Sequence, residues 1–184
     1  MKVKILGLGG CGRNVLNELI DSGFPGEYTA YLDTDTNALC ASQSANNITL
    51  AKETYRGLNT GGNPGRGRSA AEISKNEIHA TMDKAELVIL IAGLGGGCGT
   101  GAIPVVADLI RNDAKAVAIV TTPAQFEPQK RKDLATDTIA TLIDKLGEKN
   151  VHIINIQYSN LATTYKNANK LVVDKINEVL KSYS

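Results

Sequence analysis

Runs of apolar and β-branched residues recur at 2–7, 28–33, 86–91, 115–121 and 151–156, with a weaker run at 47–50. Between them lie segments at 12–22, 68–80, 101–113, 130–146 and 162–182 whose apolar residues return every three or four positions. The first pattern suits strands and the second suits amphipathic helices. Strands alternate with helices, and parallel strands need long crossovers that are usually helical. The order therefore predicts a parallel sheet wrapped on both faces. Val88-Ile89-Leu90-Ile91 and Val117-Ala118-Ile119-Val120 are apolar at every position, as strands covered on both sides must be. The expectation is one α/β domain over 1–184, a three-layer, mostly parallel sheet of six strands closed by a long core helix. That last helix carries Leu161, Tyr165, Ala168, Leu171, Val172, Ile176, Val179 and Leu180 at helical steps. Residues 36–67 are polar and irregular, ending in a Gly/Asn-rich loop.

Composition narrows the class. The chain has 184 residues, 42% hydrophobic and 21% charged, which suits a single domain with a real core. A net charge of +1 gives no basic face for nucleic acid. The apolar runs are too short to span a bilayer, and Met1-Lys2-Val3-Lys4-Ile5-Leu6-Gly7 reads as a strand rather than a signal segment. Three cysteines and two histidines show no paired metal spacing. A reduced, cytoplasmic protein with no membrane or nucleic-acid partner is expected.

Two glycine loops carry the chemistry. Gly93-Leu94-Gly95-Gly96-Gly97-Cys98-Gly99-Thr100-Gly101 holds six glycines in nine positions, between an apolar strand and an apolar helix. Glycine weakens both neighbours, so such a run implies backbone N–H groups brought close to an anion at a helix N-terminus. Gly7-Leu8-Gly9-Gly10-Cys11-Gly12 follows the first strand and fits G-x-G-x-x-G, with Asp33 and Asp35 about twenty residues on. Alone, that is a dinucleotide fingerprint. A second, denser loop after a later strand points instead to a longer polyphosphate. The lysine motif of P-loop nucleotidases is nowhere in the chain. A NAD(P)- or FAD-binding Rossmann protein stays open as an alternative.

Ala92 to Ala102, followed by Ile103-Pro104-Val105-Val106-Ala107, resembles the signature loop of the tubulin/FtsZ GTPase family, with Cys98 where FtsZ usually has threonine. Gly57-Leu58-Asn59-Thr60-Gly61-Gly62-Asn63-Pro64 is similar to that family's γ-phosphate loop, and Thr122-Pro123-Ala124-Gln125-Phe126-Glu127 to its ribose segment. The resemblance implies a guanine-nucleotide site for GTP or GDP, with Mg2+ carried on the phosphates. Gly9, Gly10, Cys11 and Gly12, with Gly95, Gly96, Gly97, Cys98, Gly99, Thr100 and Gly101, would cradle the α- and β-phosphates. Thr60, Gly61 and Gly62 would line the γ-phosphate, and Asp35 would lie near metal and phosphates. Pro123 and Glu127 would serve the ribose, Arg131 the phosphates, and Asn14, Tyr165 and Asn169 the base. Asp33 stands where the family usually has asparagine, adding negative charge.

The family continues past its long final helix into a loop with the catalytic acid and then a second domain, whereas this sequence stops at Ser184. The resemblance therefore implies nucleotide binding without a catalytic residue of the chain's own, and longitudinal association with a tubulin/FtsZ-type subunit. A short cap or inhibitor of a cell-division filament, and an excised GTPase domain, are both compatible with it. Cys11 and Cys98, each in a phosphate loop at a helix start, are expected to lie near each other, with redox sensitivity a secondary expectation. Arg66 and Arg68 either supplement the γ-phosphate site or are solvated.

Overall fold

A computed structural model describes residues 1–82, 84–157, 160 and 163–183. Leu161 and position 162, the expected first residue of the last helix, lie outside the described residues. Strands β1 (Val3–Leu8), β2 (Thr29–Asp33), β3 (Asn46–Thr49), β4 (Leu87–Gly93), β5 (Lys115–Thr121) and β6 (Val151–Ile154) form one sheet. Its order is β3-β2-β1-β4-β5-β6, and every neighbouring pair is parallel. The chain winds outward from β1 in one direction and from β4 in the other. Between those two strands the crossovers part, which opens a crevice outside their carboxyl ends.

Alternate side chains of each strand feed two cores. Ile5, Leu87, Ile89, Ile91, Val117 and Ile119 pack beneath α1 (Gly9–Asp21) and α8 (Thr164–Ser182). Leu6, Leu8, Val88, Leu90, Ala118 and Val120 pack beneath α4 (Pro64–Ile73), α5 (Lys75–Met82), α6 (Cys98–Ile110) and α7 (Gln129–Leu146). The buried stripe of α8 is Ala168, Val172, Val173, Ile176 and Val179. Leu171 and Tyr165, read as part of that stripe, are 52% and 45% exposed.

The irregular segment is more ordered than its composition suggests. It holds α2 (Thr36–Cys40), α3 (Lys52–Tyr55) and the start of α4, all too short or too polar to leave an apolar period. The helix expected over 68–80 is two helices meeting at Ser74, whose buried hydroxyl accepts the Ala51 N–H at 2.7 Å. Likewise, α1 and α6 open at Gly9 and Cys98, three residues ahead of the positions read from periodicity. The glycines there make the first turns of helices rather than preceding them.

Candidate functional site

The site begins with close backbone packing. A Cβ at Gly12 would stand 2.6 Å from the Gly7 carbonyl carbon and 3.1 Å from the Ile91 oxygen, so α1 lies against β1 and β4 only because that position is glycine. Gly9 takes a left-handed φ of 71°, and its Cβ would meet the Gly99 nitrogen at 3.0 Å. The two glycine loops therefore touch. Gly97 is pressed by the third loop, since a Cβ there would fall 2.0 Å from Thr60 Oγ1.

Helix capping separates the elements around the crevice. Asp35 caps α2 by accepting the Asn37 N–H at 2.9 Å, and Asn63 caps α4 by accepting the Gly65 N–H at 2.9 Å. The N-caps of α1 and α6, Leu8 and Gly97, make no side-chain cap bond. These two helices open on the crevice with first-turn amides that no side chain caps, the arrangement that favours a bound anion.

Glu127 organises the opposite wall. Its Oε1 accepts the Ala124 N–H at 3.0 Å and the Tyr165 hydroxyl at 3.1 Å, and its Oε2 pairs with Arg131. Arg131 Nε also donates to the Gly95 carbonyl at 3.1 Å, which ties α7 to the second glycine loop. Glu127 lies ahead of α7, which starts at Gln129, and pairs with Arg131 in its first turn. Ala124, Ile156 and Ala168 make a small apolar patch beside Tyr165. Burial and the bond to Glu127 raise the Tyr165 phenol above its ordinary value.

Together these walls enclose a cleft of about 550 Å³, within the range of small-molecule sites. Gly9, Gly10, Cys11, Asn14, Asp35, Thr60, Gly61, Gly62, Gly96, Gly97, Cys98, Gly99, Pro123, Glu127, Arg131, Tyr165 and Asn169 all line it. Gly12, Gly95, Thr100 and Gly101 do not reach the wall. Thr100 Oγ1 accepts the Gly95 N–H at 2.9 Å, Gly95 backs onto Pro123 and Arg131, and Gly101 abuts the Pro64 carbonyl. They shape the loop from behind. Arg66 stacks on the Tyr55 ring, 5.6 Å from its centroid, and neither it nor Arg68 lines the cleft. Sequence reasoning passed over Thr121, Ala38, Ile156 and Ala168. Thr121 ends β5 at the carboxyl edge, a position that marks it, whereas the small apolar residues carry no local signal.

The two cleft thiols have different neighbours. Cys11 Sγ lies 3.7 Å from Thr121 Oγ1, while the Cys98 thiol turns to Asp33 and Thr34. Burial pushes both above the ordinary thiol range, Cys98 further helped by the Asp33 charge. Desolvation disfavours the charged thiolate, so neither group has the lowered value that makes a cysteine reactive.

Sheet and cleft define a doubly wound α/β domain of the nucleotide-binding type, with its crevice at the strand-order switch. The chain belongs to the Tubulin/FtsZ family, whose GTPase-domain model matches residues 2–166. A single-substitution variant of FtsZ from M. jannaschii is 31% identical at a TM-score of 0.88, over 95% of this chain and 55% of that one. An empty FtsZ dimer from the same organism is 30% identical at 0.84, over 95% and 53%. CetZ2 from Haloferax volcanii, solved as a GTPγS-bound protofilament, shares the fold at 19% identity and a TM-score of 0.84, over 98% and 58%. The chain spans just over half the length of these proteins. Among the described residues, no helix is long and apolar enough to cross a membrane.

Proposed function

We propose that this chain binds GTP or GDP in the cleft and associates longitudinally, nucleotide face first, with a tubulin/FtsZ-type subunit. The observation that carries the reading is the convergence of two helices without side-chain caps, α1 and α6, on one crevice whose far wall offers Tyr165 and an amide at Asn169. The amides of Gly10 and Cys11, and of Cys98 and Gly99, receive phosphate oxygens. Thr60 to Gly62 close over the terminal phosphate. Tyr165 offers its ring to the base, and Asn14 and Asn169 offer amide groups to its edge.

The dinucleotide alternative is weakened by Asp33. Its carboxylate already accepts the Tyr31 hydroxyl and the Asp35 N–H, where a ribose-binding acid would present free oxygens. Among the described residues no three His, Cys, Asp or Glu side chains gather as a metal site. A Mg2+ ion would accordingly be held chiefly by the nucleotide, with Asp35 beside it, supplying charge neutralisation to the phosphates.

By family resemblance, the acid that activates water reaches the nucleotide from a neighbouring subunit. This chain is therefore proposed to hydrolyse GTP efficiently only in association with such a subunit, and so to act on a filament of that type. Thermal shifts with GTP, GDP, ATP and NAD test the site: stabilisation by guanine nucleotides is expected, and stabilisation by NAD alone refutes it. Pelleting and GTPase turnover with a full-length FtsZ test the association. Unchanged polymer and turnover at stoichiometric excess would count against this action.

A further inference from the structure

Asp33 shares the cleft wall with Cys98, the first residue of α6. It closes β2 at the cleft wall and is only 6% exposed. One carboxylate oxygen accepts the Asp35 N–H at 3.2 Å, and the other accepts the hydroxyl of Tyr31, which is fully buried. Cys98, the first residue of α6, lines the same cleft and feels the charge of this carboxyl group. Since α6 has no side-chain cap and no acid in its first turn, this carboxylate is a protein anion within electrostatic reach of that turn.

A helix start carries about half a positive charge, and an anion already beside it reduces the attraction left for a second. The other charged side chains on the wall are Asp35, Glu127 and Arg131, and Arg131 is paired with Glu127. The cleft wall thus carries more carboxylates than cations at the place where phosphates would sit.

We propose that Asp33 sets nucleotide affinity, opposing phosphate binding at the start of α6 while its hydrogen bonds to Tyr31 and Asp35 hold the end of β2. This rests on the guanine-nucleotide reading above. The two effects have opposite consequences when the charge is removed. An acid with only a structural role would, once neutralised, loosen the loop and weaken binding and stability together. Asp33 in this role separates them.

The experiment uses the full chain and its Asp33→Asn and Asp33→Ser variants. Affinity for fluorescent mant-GDP and mant-GTPγS is measured by titration, and Tm is measured without nucleotide. Serine removes the charge with a smaller side chain, so a folding defect in one variant leaves the other to decide. Both are expected to melt earlier and to bind about tenfold tighter, the order that one like charge at about 8 Å exerts on a doubly charged anion in a partly screened site. The gain is expected to be larger for the triphosphate. Equal or weaker binding by a folded variant overturns the proposal. Failure of the unsubstituted chain to bind either nucleotide overturns the guanine-nucleotide reading itself, and this inference with it.

Discussion

Two glycines in one turn of α1 separate folding from binding. At Gly10 an added Cβ meets nothing within 4 Å, and its φ is not positive, so Gly10→Ala puts a methyl group into open cleft. Alanine is the better helix former by up to about 1 kcal/mol, so stability is expected to hold or rise slightly. The methyl group occupies the space in which a phosphate would approach the first-turn amides, and affinity should fall at least tenfold. Gly12→Ala, two residues on, behaves oppositely. Its Cβ would sit 2.6 Å from the Gly7 carbonyl carbon and 2.8 Å from the Gly7 Cα, both backbone atoms of a central strand. Relief requires α1 to retreat by the best part of an ångström, loosening Val15, Leu16 and Leu19 in the core. Overpacking of this kind costs about 3 kcal/mol, or roughly 6–12 °C in Tm for a chain of this size. Thermal melting with and without GDP, alongside mant-GDP titration, reads both quantities. Wild-type binding by Gly10→Ala, or a wild-type Tm for Gly12→Ala, would refute the reasoning.

Alkaline pH should destabilise the protein. Burial raises the Cys11 and Cys98 thiols, and burial with the Asp33 charge raises the Tyr31 phenol, so the fold favours their neutral forms. Their contribution is complete below the ordinary thiol value of 9.0 and is lost as pH climbs beyond it, because the unfolded chain then sheds protons that the native state keeps. The slope is at most about 1.4 kcal/mol per pH unit for each group. Cys98→Ala should therefore show a shallower fall of Tm from pH 8 to 10, and a parallel fall would count against the assignment. Glu127→Ala strands the Ala124 N–H, the Tyr165 hydroxyl and Arg131 together. A loss of about 1–3 kcal/mol in stability and a weaker site for both GTP and GDP are expected, read by melting and titration. Glu127→Gln, which keeps an acceptor, should fall between; if Glu127→Ala leaves mant-GDP affinity unchanged, Glu127 does not organise the wall.

The elements most legible in the sequence were those whose environment is uniform. Val88 to Ile91 and Val117 to Val120 are buried on both faces and must be apolar at every position, so they are plain from composition alone. α2 and α3 were not legible, because they are held by single contacts, such as the Asp35 cap and the Gly57 carbonyl accepting the Thr36 N–H at 3.0 Å. Ser74, which divides α4 from α5, is marked by a hydrogen bond to a residue more than twenty positions away. No local pattern encodes that.

By itself the sequence determined the parallel α/β class, the two glycine loops and the family, since these rest on local periodicity and on glycines whose spacing is itself the signal. Only the tertiary structure decided what each of those glycines does. Gly9, Gly10, Gly96, Gly97 and Gly99 face the cleft, while Gly12, Gly95 and Gly101 serve close packing behind it. It also gave the two cleft thiols different neighbours distant in sequence, the Thr121 hydroxyl for Cys11 and the Asp33 charge for Cys98. The physical reason is that a loop's spacing specifies how closely backbone can approach backbone. Which surface it approaches depends on strand order and on the packing of helices that are distant in sequence.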